Sequence, residues 1–151
     1  MRNLFATKKG AAVSAGMRAK AASGFVVGAA RIGYVAVRTE RGVSTAPDSV
    51  TASILRETFL MARGGTPVHS IAACLRERKV CGKRGEPVSL ATVPRILTDS
   101  YYCGMIQDGA GRWVAGRHEE TVGQELFALV RRELLLRRCC PAKAKWGISS
   151  R

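Results

Sequence analysis

The chain has 151 residues, with 25 Lys and Arg against 11 Asp and Glu, for a net charge of +14. That length buries one modest core, and an ordinary apolar content with few aromatics excludes a plainly disordered chain. The charge points to a polyanion, nucleic acid first and an anionic membrane surface second, without separating DNA from RNA. No window approaches the ~18 uninterrupted apolar residues of a spanning helix. The N-terminus has cations and small residues but lacks the apolar run of a secretory signal. The five cysteines (Cys74, Cys81, Cys103, Cys139 and Cys140) are odd in number with one adjacent pair, a poor disulfide framework. Cys74 and Cys103 sit among core-forming residues as small hydrophobes, and a reducing compartment is the simplest reading.

In chain order, Phe5 to Ser23 reads as a basic helix of low hydrophobicity carrying Lys8, Lys9, Arg18 and Lys20. Taken alone, the same stretch also suits a solvated helix or a frayed end. Gly24 to Tyr34 is glycine-punctuated but lacks the Lys-Ser/Thr pair of a phosphate-binding loop. Tyr34 to Arg38 alternates as a short strand, and Thr39 to Pro47, with Gly, Ser, Thr and Pro, reads as a loop. Asp48 then caps a helix to about Arg63, with Ala52, Leu55, Phe59 and Ala62 facing a core, and Gly64-Gly65 stops it.

From Thr66 to Gly104 the pattern predicts two short helices. In the first, Thr66 is the cap, Pro67 the first helical residue, and Val68, Ile71, Ala72 and Leu75 form one apolar stripe. A turn from Val80 to Val88 follows, longer than that of a compact helix-turn-helix; Lys79, Lys83 and Arg84 in and beside it reach phosphates or are simply solvated. In the second helix Ser89 is the cap, with Leu90, Val93, Ile96 and Leu97 on the core face and Ala91, Thr92, Arg95 and Thr98 opposite. Ser, Thr and Arg on the outer face of a second short helix suit reading of a DNA groove, Arg95 being the side chain with reach to a guanine edge. The plainer role for Arg95 is an ion pair with Asp99, its i+4 neighbour. Pro94 costs about 3 kcal/mol inside a helix, so the helix starts at Thr92 or Val93, or the element is damaged.

Tyr101 to Asp108 and Arg112 to Ala115 flank Gly109-Ala110-Gly111 as a hairpin. Trp113 packs on that hairpin or, more sharply, stacks on bases. His118, beside Glu119 and Glu120, reads as a surface residue; that trio is the one cluster to suspect of catalysis, and no Ser, Cys or metal set is spaced to join it. Thr121 with Gln124 forms a capping box opening a helix to about Arg138, with Leu126, Val130 and Leu134 aligned. Residues 139–151 read as an unstructured tail.

The joint order Ser70-Ile71-Ala72-x-x-Leu75, Ser89-x-x-Thr92-Val93-x-Arg95-Ile96-Leu97 and Tyr102-x-Gly104 resembles the DNA-binding recombinase domain of large serine site-specific recombinases. The segment ending in Gly33-Tyr34 and the step from helix through Gly64-Gly65-Thr66 extend the similarity, which covers roughly Thr7 to Arg138. The chain departs from that pattern at Arg31, where the family often has proline, at Val88, commonly aromatic, and at Pro94. The resemblance implies a mainly α fold with small β elements: a linking helix over residues 1–24, a helix-turn-helix-containing recombinase domain over 25–138, and the tail. It implies recognition of recombination-site DNA, with Ser89, Thr92 and Arg95 at the groove and Lys8, Lys9, Arg18, Lys20, Lys83 and Arg84 on phosphates. The expected partners are double-stranded DNA and a full-length serine recombinase, in bacterial-type cytoplasm at the nucleoid, with neither membrane nor small molecules involved. Intact family members carry a nucleophilic serine in a separate catalytic domain and continue into a zinc ribbon. Ser14 lacks that catalytic context, and Cys139-Cys140 has no second pair to complete a tetrahedral site, so we expect no enzyme activity, cofactor or metal from this chain. Two alternatives stay open: a non-functional remnant of a mobile-element recombinase, and a basic RNA-binding protein, which needs exposed aromatics for unstacked bases.

Overall fold

Asp48 begins the helix on which the core assembles. Its side chain accepts from the Thr51 amide at 3.1 Å, satisfying one free N–H at the start of α2 (Ser49–Arg63). In this computed structural model, which describes residues 4–40, 42–82, 84–108 and 110–139, α2 buries Ala52, Leu55, Phe59 and Ala62, the predicted stripe. α3 (Val68–Glu77) lays Ile71, Ala72 and Leu75 against it. α4 (Thr92–Thr98) adds Val93, Ile96 and Leu97, and α5 (Gln124–Cys139) closes the core with Phe127 and Val130. Each Val, Leu, Ile or Phe among these contributes about 1.5–3 kcal/mol on full burial.

A one-turn 3₁₀ helix (Ser100–Cys103) drives Tyr101 and Tyr102 into the centre. The Tyr102 hydroxyl donates to the Ile32 carbonyl at 3.0 Å, while its own carbonyl accepts from the amides of Thr121 and Val122. Tyr34 lies beside it, donating to the Glu119 carbonyl at 2.9 Å and accepting from the Thr121 hydroxyl at 2.7 Å. Burial pushes the Tyr34 phenol up to about 12. These bonds join segments some 70 to 90 residues apart in sequence. They tie the chain before α2 to the chain before α5.

The structure corrects several expectations. The stretch after Thr39 is not a loop: β1 (Tyr34–Thr39) and β2 (Gly42–Pro47) form an antiparallel hairpin paired from Tyr34↔Pro47 to Thr39↔Gly42. Thr45 is buried with its hydroxyl 2.5 Å from that of Tyr101, so a tertiary hydrogen bond outweighs the loop-like composition. Pro47 is tolerated at the end of an edge strand. Three expected caps do not form. Pro67 itself is the N-cap of α3, Ala91 that of α4, and the Thr121 side chain is spent on Tyr34. The second hairpin is present as β3 (Met105–Gln107) with β4 (Trp113–Ala115). Cys103 is buried as expected, Cys74 half-buried and Cys81 exposed. Among the described residues no helix is long and apolar enough to cross a membrane. The tail beyond Cys139 lies outside the described residues.

Candidate nucleic-acid interface

α4 is a ridge. With Val93, Ile96 and Leu97 buried, Arg95 is exposed on the opposite side, and Pro94 and Thr92 flank it. The helix starts at Thr92, so Pro94 is its third residue. The first four N–H groups of a helix have no partner within it, and the missing N–H of Pro94 therefore costs no hydrogen bond there. Leu90, expected on the core face, precedes the helix and is 50% exposed. Ser89 and Thr92 hold their hydroxyls 2.8 Å apart, and Thr92 is half-buried.

On the Thr92 side lies a groove whose far wall is the linker between α1 (Leu4–Ala22) and β1. Gly28, Ala30, Pro87, Ser89 and Thr92 line it. The linker is anchored at both ends by glycines that only glycine can supply. Gly24 (φ +82) brings its Cα so near the Ala115 carbonyl that a Cβ would stand 2.9 Å away, and at Gly33 (φ +84) a Cβ would meet Leu55 at 2.4 Å. Between them Arg31 pairs with Asp99 at 3.0 Å and lies over the Tyr101 ring, 5.6 Å from its centroid. Arg31, a departure from the family pattern, thus adds a tie between the linker and the end of α4. It also takes the carboxylate that the sequence offered to Arg95, whose guanidinium makes no ion pair among the described residues.

At the start of the linker Arg117 is the anchor. Its amide donates to the Gly24 carbonyl at 2.8 Å, its Nε to the Ser23 carbonyl at 2.9 Å, and its guanidinium sits over Phe25 at 4.8 Å. Beyond this point α1 packs on nothing from Gly10 to Lys20; Arg18 and Lys20 are exposed, and Ala21 is its buried residue. Lys8 and Lys9 belong to the same helix, and their side chains, like all of Lys83, lie outside the described residues. Arg84 is exposed in the loop before α4. That loop is closed by a Cys81↔Pro87 bridge and by Arg76, which donates to the Val88 carbonyl at 3.2 Å. Val88 is buried in the core, so a smaller side chain fills the family's aromatic position.

The structure brings Ser89, Thr92 and Arg95 together on one edge, and the linker that follows α1 borders the groove beside Ser89 and Thr92. Sequence reasoning missed Arg31 and Arg117, whose partners lie far along the chain. His118 is not a surface residue. It is buried, stacked on Tyr101 at 4.0 Å, with Nε2 2.7 Å from the Tyr101 carbonyl and Nδ1 without a partner. Gly116 makes this possible, since a Cβ there would stand 2.4 Å from Nδ1. Trp113, expected to pack on its hairpin, is 50% exposed and lines a pocket beneath the linker with Phe25, Arg31 and Tyr101. No group of three or more His, Cys, Asp or Glu among the described residues is placed to hold a metal.

The Recombinase family model matches residues 49–137, more than half of the chain. The chain belongs to the recombinase family. This is the family that the pattern from Ser70 to Gly104 resembles. Among solved structures, this recombinase chain is similar to one described as a large serine recombinase–DNA complex, with a TM-score of 0.71 and 17% identity over 89% of this chain. It is also similar to one from work on the sequence requirements of the Listeria innocua prophage attP site, with a TM-score of 0.64 and 18% identity over 80% of this chain. At that identity the likeness establishes the fold: mainly helical with small antiparallel strand pairs. The matches cover 42% and 49% of those chains, so this chain spans less than half the length of either. No curated protein matches it.

Proposed function

We propose that this recombinase chain is the DNA-binding module of a serine site-specific recombinase, with a linking helix over residues 1–24 and a DNA-binding domain over 25–138. The observation that carries the reading is the α4 ridge, on which an unpaired, exposed Arg95 stands beside Ser89 and Thr92 in a chain of net charge +14. In this reading Arg95 reads a base edge in the major groove, and the exposed cations of α1 with Lys83 and Arg84 grip phosphates. Base contacts then set specificity, while phosphate neutralisation supplies most of the affinity. No residue here is assigned a catalytic role. The structural relatives, one described as a DNA complex, support duplex DNA as the ligand. Three tyrosines buried in the core speak against a base-stacking RNA surface. Arg31, Val88 and Pro94, each well accommodated, speak against a decayed remnant.

Binding curves on selected and random duplexes at several salt concentrations test this. With roughly 5–8 phosphates neutralised, log K falls against log[salt] with a slope of about −4 to −7. Arg95→Ala removes a contact worth about 1–3 kcal/mol of discrimination and leaves the slope nearly unchanged. Lys8→Ala with Lys9→Ala weakens both DNAs alike and flattens the slope by about one unit per lost phosphate. A flat salt response, tighter binding to single-stranded RNA, or an Arg95→Ala variant that weakens both duplexes equally would overturn the reading.

A further inference from the structure

On the Pro94 side of the ridge lies a second groove, of about 590 Å³, between α4, the start of α3 and the C-terminal half of α5. Its apolar lining is Val68, Pro94, Leu134 and Leu135, with Leu135 53% exposed. Arg95, Arg131 and Arg137 surround it. Arg137 is held in place, its Nε 3.3 Å from Glu133 and Nη1 3.4 Å from the Thr66 carbonyl. Arg95 and Arg131 make no ion pair among the described residues.

From this arrangement we infer that the groove docks an acidic amphipathic helix of another protein. Phosphates gain nothing from a leucine-lined wall, whereas apolar side chains at i, i+3, i+4 and i+7 of a helix gain by leaving water, and carboxylates beside them meet Arg95 and Arg131. Charge complementarity also excludes the occupants closest to hand. None of the five α-helices among the described residues is net negative and the chain as a whole carries +14, so a second copy brings cation to cation. Residues 140–151 carry Lys143, Lys145 and Arg151 and no acid, so the chain's own C-terminal sequence has the same wrong sign. Because Arg95 serves both the groove and the ridge, the docked helix and DNA exclude one another. That makes the groove a place where a partner protein turns binding off.

The test uses the full chain and a fluorescent helical peptide with leucines at i, i+3, i+4 and i+7 flanked by glutamates. A peptide of the same composition, scrambled so that the leucines share no face, is the control. The striped peptide binds about tenfold or more tighter than the scrambled one, and Leu135→Asp and Arg131→Glu each weaken it by about tenfold. Both substitutions are at exposed positions, and an unchanged melting curve verifies the fold. Equal binding of the two peptides, or no effect of Leu135→Asp, overturns the inference. So does displacement of the probe by a peptide of residues 140–151, or concentration-dependent self-association that Leu135→Asp abolishes. Competition with duplex DNA rests on the DNA reading above. Peptide binding that persists at saturating DNA keeps the groove as a docking site and counts against α4 as the DNA face.

Discussion

The first and last helices, α1 and α5, are both long and both basic, yet they do opposite things in the fold. α5 turns a stripe of Leu126, Phe127, Val130 and Leu134 into the core and carries Arg131 and Arg132 on the outside. α1 has no such stripe. Its alanines, two glycines, Val13 and Met17 are spread around the helix, it contains no acidic residue, and the body of the protein leaves it in solvent from Gly10 to Lys20. Positive charge therefore says nothing by itself about a helix's role. In α5 the apolar stripe gives the helix a structural duty that its charges merely accompany. In α1 the charges are what remains, and in the proposed DNA-binding role a phosphate backbone is what such a helix would pack on.

The largest effect that sharpens this comparison is on stability. Phe127→Ala removes a buried ring that packs 6.2 Å from that of Phe59, and it should cost about 3–5 kcal/mol in urea unfolding. Val13→Ala, at a position 57% exposed on α1, should change stability by less than about 0.5 kcal/mol. A comparable loss from both would mean that α1 packs on the body after all.

A smaller effect is expected where the two regions meet. Arg117→Ala removes the cation–π contact to Phe25, worth about 0.5–1 kcal/mol, together with the bond to the Ser23 carbonyl. Limited proteolysis should then cut faster near Ser23, while the global melting temperature moves little. An unchanged cleavage rate would show that Gly24 and its neighbours hold the direction of α1 without Arg117.

The smallest is a pH effect confined to the body. The Arg112 amide, with its guanidinium and the Ala110 amide, holds the buried Asp108 carboxyl below the usual carboxylate range. A depressed carboxylate contributes stability that is present above its unfolded pKa and is lost as pH falls through the folded value. Asp108→Asn should therefore lower the melting temperature at neutral pH and flatten the acid side of the melting temperature–pH curve. Lys8→Ala with Lys9→Ala should leave that acid side as it is, because α1 has no carboxylate to titrate. A flattening by the α1 variant would couple the two regions electrostatically.

Much of this was legible along the chain. The 3.6-residue stripes of α2, α3 and α5 are local facts, since side chains three and four apart share a face whatever surrounds them. The family pattern from Ser70 to Gly104 is likewise a matter of order and spacing, as is the exposure of Arg95 opposite Val93, Ile96 and Leu97. The late start of α4 could be anticipated from Pro94 alone, because proline is tolerated only in a first turn.

What the tertiary structure alone decided are the pairings across long sequence distances. Thr39 to Pro47 has a loop's composition, yet Gly42 to Pro47 within it becomes a strand because Tyr34 to Thr39 pairs with it and Thr45 and Tyr101 share a hydroxyl–hydroxyl hydrogen bond. Thr121 has a cap's sequence and serves Tyr34 instead, 87 residues away. His118 has polar neighbours and is buried because Gly116 makes room for it against Tyr101. Asp99 is spaced for Arg95 and pairs with Arg31, which leaves Arg95 unpaired on the ridge. In each case a single hydrogen bond, ion pair or steric vacancy supplied by a distant segment chose between the local options.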